Sequence, residues 1–354
     1  MAQTNFTVND PLCVKLYAKQ LAVQAIQQTW FGKFIDEEGN SVLQMLDNTE
    51  KSAGDTINVG LRTQLSGTGV QGDGTLQGQE EALTIYSDKL LIDQLRNAVN
   101  VGGRMTQQRV PFELREEARL GLQDWYAARF DTAFFNQLCG NTVQTDTRYT
   151  GNNATIAPTS GYITLPSGVA AETNLGSTNT FTVTLIDTAV ERAILGISSN
   201  PIMRPIKVDG TDMFVCLMHP SQVTDMRQST TTGGFLDIQK QAATGGEVSN
   251  NPIFTGALGV YNQTVIHRAA RCTQTITSGA FNASTRRAVF AGAQAGVIGF
   301  GRGDGAEQFT WVEELFDYGN ILGVSAGSIF GIKKLVFNSA DFATQIISSY
   351  AAAH

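Results

Sequence analysis

Residues 56–65 alternate Ile57, Val59, Leu61 and Leu65 with Asn58, Arg62 and Gln64, the period of a half-buried strand. Residues 82–101 repeat the pattern with Leu83, Ile85, Leu91, Leu95 and Val99 in one register, while Leu90 and Ile92 fall out of it. Between the two runs lies LSGTGVQGDGTLQGQEE (65–81), too rich in glycine for either periodic structure. The pattern predicts a long hairpin over 56–101 with a flexible tip. An isolated two-stranded ribbon is marginal in water, so its apolar rows need cover, and a second copy of the chain is the natural source.

Helical spacing dominates two other stretches. In 11–34, Pro11 follows Asn9 and Asp10, and Leu12, Leu16, Ala22, Ile26 and Trp30 share a stripe, which predicts an amphipathic helix. Its polar face is mostly Gln, so it suits a protein surface better than a membrane. In 111–140, Pro111 with Glu113, Glu116 and Glu117 opens a helix, and Gly140 ends it. Leu114, Ala118, Leu122, Trp125, Phe130, Phe134 and Leu138 recur at three- and four-residue steps, with Arg115, Glu116, Arg119 and Asp124 facing elsewhere. This is a beam spanning a domain. Residues 141–181 turn to Thr, Ser, Asn and Gly and read as an exposed loop or short hairpins. Beyond them, 182–198 is helical, 213–220 is a buried strand stopped by Pro220, and Ser221 caps a short helix. Short strands fill the rest to 337.

Composition narrows the function. Charged residues make up 16% of the 354, below the roughly 25% of an average soluble domain, as expected where neighbouring subunits cover surface or where uncharged polar residues fill it. The net charge of −7 lacks the basic footprint of a sequence-reading nucleic-acid protein and suits a container for DNA better than a clamp. Cys13, Cys139, Cys216 and Cys272 lie far apart, so no zinc or redox motif is expected and the thiols read as reduced and buried. No signal peptide and no membrane-spanning apolar run is visible.

Gly67, Gly69 and Gly72 match the dinucleotide fingerprint G-x-G-x-x-G. In that motif the third glycine opens a helix whose amides hold pyrophosphate, whereas here Asp73, Gly74 and Gly78 follow and then a strand. The glycines suit a turn-rich tip with positive φ. Catalytic chemistry is equally thin. His219 ends an apolar strand and reads as structural, and His267 and His354 have no nucleophile motif beside them. The adjacent carboxylates Glu80 and Glu81, Glu116 and Glu117, and Glu313 and Glu314 face different directions and read as solvated or ion-paired. Arg302, Gly303 and Asp304 spell an adhesion tripeptide but read as a turn. No catalytic residue, metal or cofactor is expected.

LSGTGVQGDGTLQGQEEALTIYSD (65–88), GGRMTQQRVPFELREEAR (102–119), NPIFTGALGVYNQTVIH (251–267), VFAGAQAGVIGFGR (289–302), DYGN (317–320) and GIKKLVFN (331–338) carry a resemblance. Together they resemble the major capsid proteins of tailed double-stranded-DNA bacteriophages with the Hong Kong 97-type fold, in the branch of short-tailed, N4-like phages. The resemblance implies an α+β chain: an N-terminal arm (1–54), an extended E-loop hairpin (55–104), a peripheral domain (105–181) with a spine helix at 109–139 and the polar insertion 141–181, an axial domain (182–288), and a return to the peripheral sheet (289–354). It places inter-subunit contacts at the tip residues Gly67, Gly69, Gly72, Asp73, Gly74, Gly78, Glu80 and Glu81, on the arm at Leu16, Ile26, Trp30 and Phe31, and marks Arg115, Glu116, Arg119 and Trp125 on the spine helix. Implied partners are further copies in pentamers and hexamers, a separate scaffold protein, a portal and a decoration protein, around double-stranded DNA that is bound without sequence specificity. The resemblance implies a virion protein assembled in the bacterial cytoplasm. Some members crosslink through an E-loop lysine. The tip has none, and Lys89 sits down the second strand, so none is expected. Alternatives are an encapsulin-like compartment shell and a nucleotide enzyme using Gly67 to Gly72.

Overall fold

The computed structural model describes residues 21, 24–26, 28–36, 39–46, 55–62, 65, 67–196, 202–208, 210–229, 257–272, 284–301 and 308–353. Leu16, most of the predicted 11–34 helix, the tripeptide 302–304 and His354 lie outside them.

The spine helix runs Leu114–Leu138, starting five residues later than predicted because a separate short helix, Arg104–Arg109, and the extended residues up to Glu113 precede it. Its 25 residues span about 37 Å at 1.5 Å per residue. Leu122, Tyr126, Phe130, Phe134 and Leu138 face a six-stranded sheet and are almost wholly buried. In that sheet the long strand Ile321–Lys334 pairs antiparallel with Gly296–Phe300, Phe309–Phe316 and Asp93–Gly103. Leu43–Leu46 adds a parallel strand beside Gly296–Phe300. Tyr126, which the apolar stripe omitted, donates its buried hydroxyl to Leu95 O at 2.9 Å and Ala326 O at 3.0 Å, tying helix to sheet.

A seven-stranded sheet is ordered Ile163–Thr164, Thr344–Tyr350, Thr285–Ala291, Thr211–Met218, Thr264–Arg268, Ala257–Tyr261, with Ile206–Val208 also on Thr211–Met218. Phe214, Cys216 and Met218 point into a core with the helix Val183–Leu195 and with Pro220–Gln228, while Val215 and Leu217 point into the core of the spine helix. Strand alternation thus joins two cores through one sheet. Leu195 lies at the exposed end of its helix, and the short helix is capped by His219 with Pro220 in its first turn, in place of the expected Ser221. Thr285–Ala291 runs across the expected boundary at 288, and the C-terminal strand joins this second sheet.

The polar stretch 141–181 departs most from the sequence reading. It is not an exposed loop: Thr150, Asn153, Tyr162, Thr164, Glu172 and Phe181 are buried. It contains three short 3-10 helices and the edge strand Ile163–Thr164. Its polar side chains serve irregular backbone that lacks a ladder. Gln137 Nε2 donates to Thr150 O at 2.7 Å and Asn153 O at 2.9 Å. Arg287 forks onto Glu172 at 2.5 Å and donates to Cys139 O and Gly140 O at the end of the spine helix. Ser348 also bonds Glu172.

Candidate assembly surface

The predicted hairpin forms, with its second run divided between two sheets. Thr56–Arg62 pairs antiparallel with Ile85–Leu91, and Asp93–Gly103 joins the six-stranded sheet. The register of the second run changes at Ile92, whose N–H donates to Asp55 O at 2.9 Å. Before it Tyr86 and Leu90 face inward; after it Leu95, Val99 and Val101 do. Leu83, Ile85 and Leu91 therefore face solvent, a correction to the single register predicted, and the out-of-phase Leu90 is a core residue.

The root of the hairpin is seated on the chain itself. Ile57, Val59, Leu61 and Tyr86 pack with Leu90 against Val297, Leu335 and Phe337, so its apolar row is covered without a neighbour. Gly299 and Gly331 are paired across two strands and form the floor beneath it. A Cβ at Gly331 would lie 2.1 Å from Leu91 O, and one at Gly299 would lie 2.6 Å from Ile57 Cδ1. Asn153 completes Leu91 as a neighbouring strand would: its Oδ1 accepts from Leu91 N and its Nδ2 donates to Leu91 O, both at 2.9 Å. Asp88 accepts from Lys333 Nζ at 2.5 Å and Val336 N at 3.1 Å, and the same ammonium donates to Lys89 O. Sequence reasoning missed Asn153, Asp88 and Lys333. The glycines inside the strand signal at 289–302 hint at close backbone approach.

Beyond this root the tip is open. Every described residue from 67 to 85 is exposed, including Leu76 at 60% and Ile85 at 63%. Gly69, Gly72 and Gly78 have positive φ, as the turn reading requires. Residues 73–84 form turns and coil that lead into a strand, so Gly72 heads no helix to hold a phosphate. Glu81 accepts from Gly67 N at 2.6 Å and Glu80 from Gly78 N at 2.7 Å. These carboxylates, expected to be solvated or ion-paired, staple the tip's own backbone. Asp73 and Gly74, between the bonded glycines Gly67 and Gly78, are exposed.

The arm residues anchor inward. Ile26 packs on the main core, and Trp30 and Phe31 begin a 3-10 helix, Trp30–Phe34, where an α-helix to 34 was predicted. Phe31 is fully buried against Phe134 and Phe135, and Asp131 on the spine helix accepts from Trp30 N at 3.0 Å. Burial raises the Asp131 pKa against these bonds and Arg271. Arg119, predicted to face away, is buried, holding Glu116 at 2.6 Å and Gln24. That pairing holds Glu116 below the usual carboxylate range. Arg115 pairs with buried Glu313 at 2.7 Å, and Trp125 stacks with Arg129. Cys139, Cys216 and Cys272 are buried thiols outside any disulfide, and burial pushes the Cys216 thiol up to about 12. Among the described residues no cluster has the makings of a metal site, and no helix is long and apolar enough to cross a membrane.

A mixed α+β body with a self-seated hairpin and a wholly exposed tip is the form of a subunit shaped for other subunits. Residues 5–353 match the phage capsid protein family, and the chain belongs to it. It is 28% identical to the major capsid protein of Pseudomonas phage KPP25, over 96% of this chain and 94% of that one. The capsid of Ralstonia phage GP4 matches with a TM-score of 0.80 and 34% identity, covering 99% of each chain. The capsid of cyanophage Pam1 shares the fold at a TM-score of 0.72 and 19% identity, over 93% of this chain and 94% of that chain.

Proposed function

We propose that this chain is the structural shell subunit of a phage head with the Hong Kong 97-type fold and no enzymatic role, closing as pentamers and hexamers around double-stranded DNA. The observation that carries this reading is the tip: residues 67–85 are all exposed in their own chain, tied locally where Glu81 accepts from Gly67 N and Glu80 from Gly78 N. The match to the GP4 capsid across 99% of each chain supports it. In this reading the tip lies over an adjacent subunit and flexes between five- and sixfold surroundings. The resemblance to N4-like phages, a scaffold protein, a portal and a decoration protein belong to the same reading, as do assembly in the host cytoplasm and residence in the virion. DNA is held by enclosure, which the net charge of −7 suits. The tip lacks lysine, so in this reading the shell holds by packing without crosslinks. Electron microscopy of the expressed chain with its scaffold tests the proposal: closed icosahedral particles support it, and a persistently monomeric product at high concentration overturns it.

A further inference from the structure

Cys139 closes the spine helix, Cys272 follows the strand Thr264–Arg268 of the seven-stranded sheet, and both residues are wholly buried. Their sulfurs meet at one backbone atom: Arg287 O, on the strand Thr285–Ala291, lies 4.0 Å from Cys139 Sγ and 3.8 Å from Cys272 Sγ. The Cys272 thiol also donates to Leu217 O at 3.1 Å and hydrogen-bonds with Cys139. Cys216 belongs elsewhere, because it packs in the second core with Phe214 and Met218. The two thiols therefore form a pair at the junction of spine helix and second sheet, which Arg287 already ties by donating to Cys139 O and Gly140 O. Cysteines so far apart in sequence signal no pairing, and only the fold brings them together.

We propose that Cys139 and Cys272 are an oxidation lock, a thiol pair that closes into a disulfide outside a reducing compartment and bolts the end of the spine helix to the seven-stranded sheet. Each thiol gives up its proton, the two sulfurs bond, and two electrons pass to the oxidant: molecular oxygen becomes hydrogen peroxide, or an azodicarboxamide becomes the hydrazine. A thiol-buffered cytosol keeps the pair reduced. Elsewhere the hydrogen-bonded sulfurs have only to close to about 2.05 Å. Burial holds the Cys272 thiol protonated, well above its ordinary pKa, so the step is slow in the closed fold and waits on local opening. The same burial keeps reductants from the finished bond. The bond ties residues 139–272 into one covalent loop, and long loops lie toward the strong end of what a crosslink removes from the freedom of the unfolded chain. The lock goes beyond the shell reading and does not depend on it; within that reading it hardens the subunit once the particle has left the host.

The test incubates the unassembled full chain overnight with the azodicarboxamide diamide at about pH 8.5, where more thiolate is present. The chain is then denatured, its thiols are labelled with a maleimide, and its peptides are mapped. Loss of label at Cys139 and Cys272, retention at Cys216 and a peptide linking Cys139 to Cys272 are expected. Retention of label at all four cysteines, or Cys139 and Cys272 bonded to other partners, overturns the pairing. The oxidised chain is expected to melt about 3–8 °C above the reduced one and to return to it on adding dithiothreitol. An unchanged or lower midpoint overturns the lock, and so does the same rise in Cys272→Ala treated identically. The mapping uses the unsubstituted chain, so it decides the pairing even where that variant folds poorly. Neither readout needs particles: failure of the pair leaves the shell reading standing, and failure of assembly leaves the pair standing.

Discussion

At the scale of single residues, the buried polar groups are the most exposed to failure. Arg287 and Glu172 are both nearly inaccessible, and each uses its charge on the other. Removing one partner leaves a buried charge with no counter-ion, which costs about 3–5 kcal/mol. Glu172→Ala is therefore expected to lower the urea midpoint of the unassembled chain sharply, whereas the paired change Glu172→Leu with Arg287→Met recovers much of the loss. His219 sets a pH dependence. Its Nδ1 accepts from Ser221 N at 3.2 Å while Gln222 reciprocates on its own backbone N–H, a capping box that works only with neutral imidazole. Burial, and then the charge of Arg286, hold its pKa below the ordinary 6.5. A histidine depressed in the folded state contributes stability that is complete above 6.5 and fades as the pH falls below it, because the unfolded chain takes the proton first. Thermal scans from about pH 7.5 to about 5.5 should show this loss, and His219→Asn, which keeps a capping acceptor but does not titrate, should flatten it.

At the scale of elements, the hairpin root depends on two strands approaching closer than any side chain allows. Gly331→Val would push a side chain into Leu91 O and unseat Thr56–Arg62 and Ile85–Leu91 together. Hydrogen exchange in the unassembled chain should then quicken in those two strands while the spine helix stays protected, and equal loss in both would refute a local effect. The spine helix and the hairpin were legible because their apolar positions repeat with a period, whether 3.6 or 2. The register change at Ile92 was not: one residue out of phase looked like a flaw in a strand and is the point where the chain passes between sheets. Residues 141–181 were misread for a related reason. Asn153 and Gln137 are buried where they supply hydrogen bonds to irregular backbone, and Glu172 where Arg287 and Ser348 hold its carboxylate, and such roles have no period to detect. Arg119 escaped because the arm that covers it is remote in sequence.

At the scale of the whole molecule, the chain divides what it buries alone from what it leaves open. The six-stranded sheet, the spine helix and the root of the hairpin close on themselves, and so does the second core across the seven-stranded sheet. The sequence led us to expect that the whole hairpin needs a neighbour, yet the inner row of its root packs on the chain's own core, and the exposed apolar positions are those of the tip and of Leu91 on the outer face. That distinction could not be read from alternation, which marks an apolar face without saying what meets it. It has a direct consequence. Replacing residues 63–84 by a two-residue Asn-Gly turn joins the cross-strand partners Arg62 and Ile85 with a turn the hairpin's twist favours, and removes no side chain that is buried among the described residues. The shortened chain is expected to keep its thermal midpoint and its circular dichroism, because every core contact remains. Sedimentation of the same preparation should nevertheless find the large particles gone, since the deleted segment is the part that has no work inside the monomer. If the shortened chain still closes shells at the original yield, the tip is ornamental and assembly runs through the body alone. If it unfolds, the tip contributes to the monomer in a way its exposure denies.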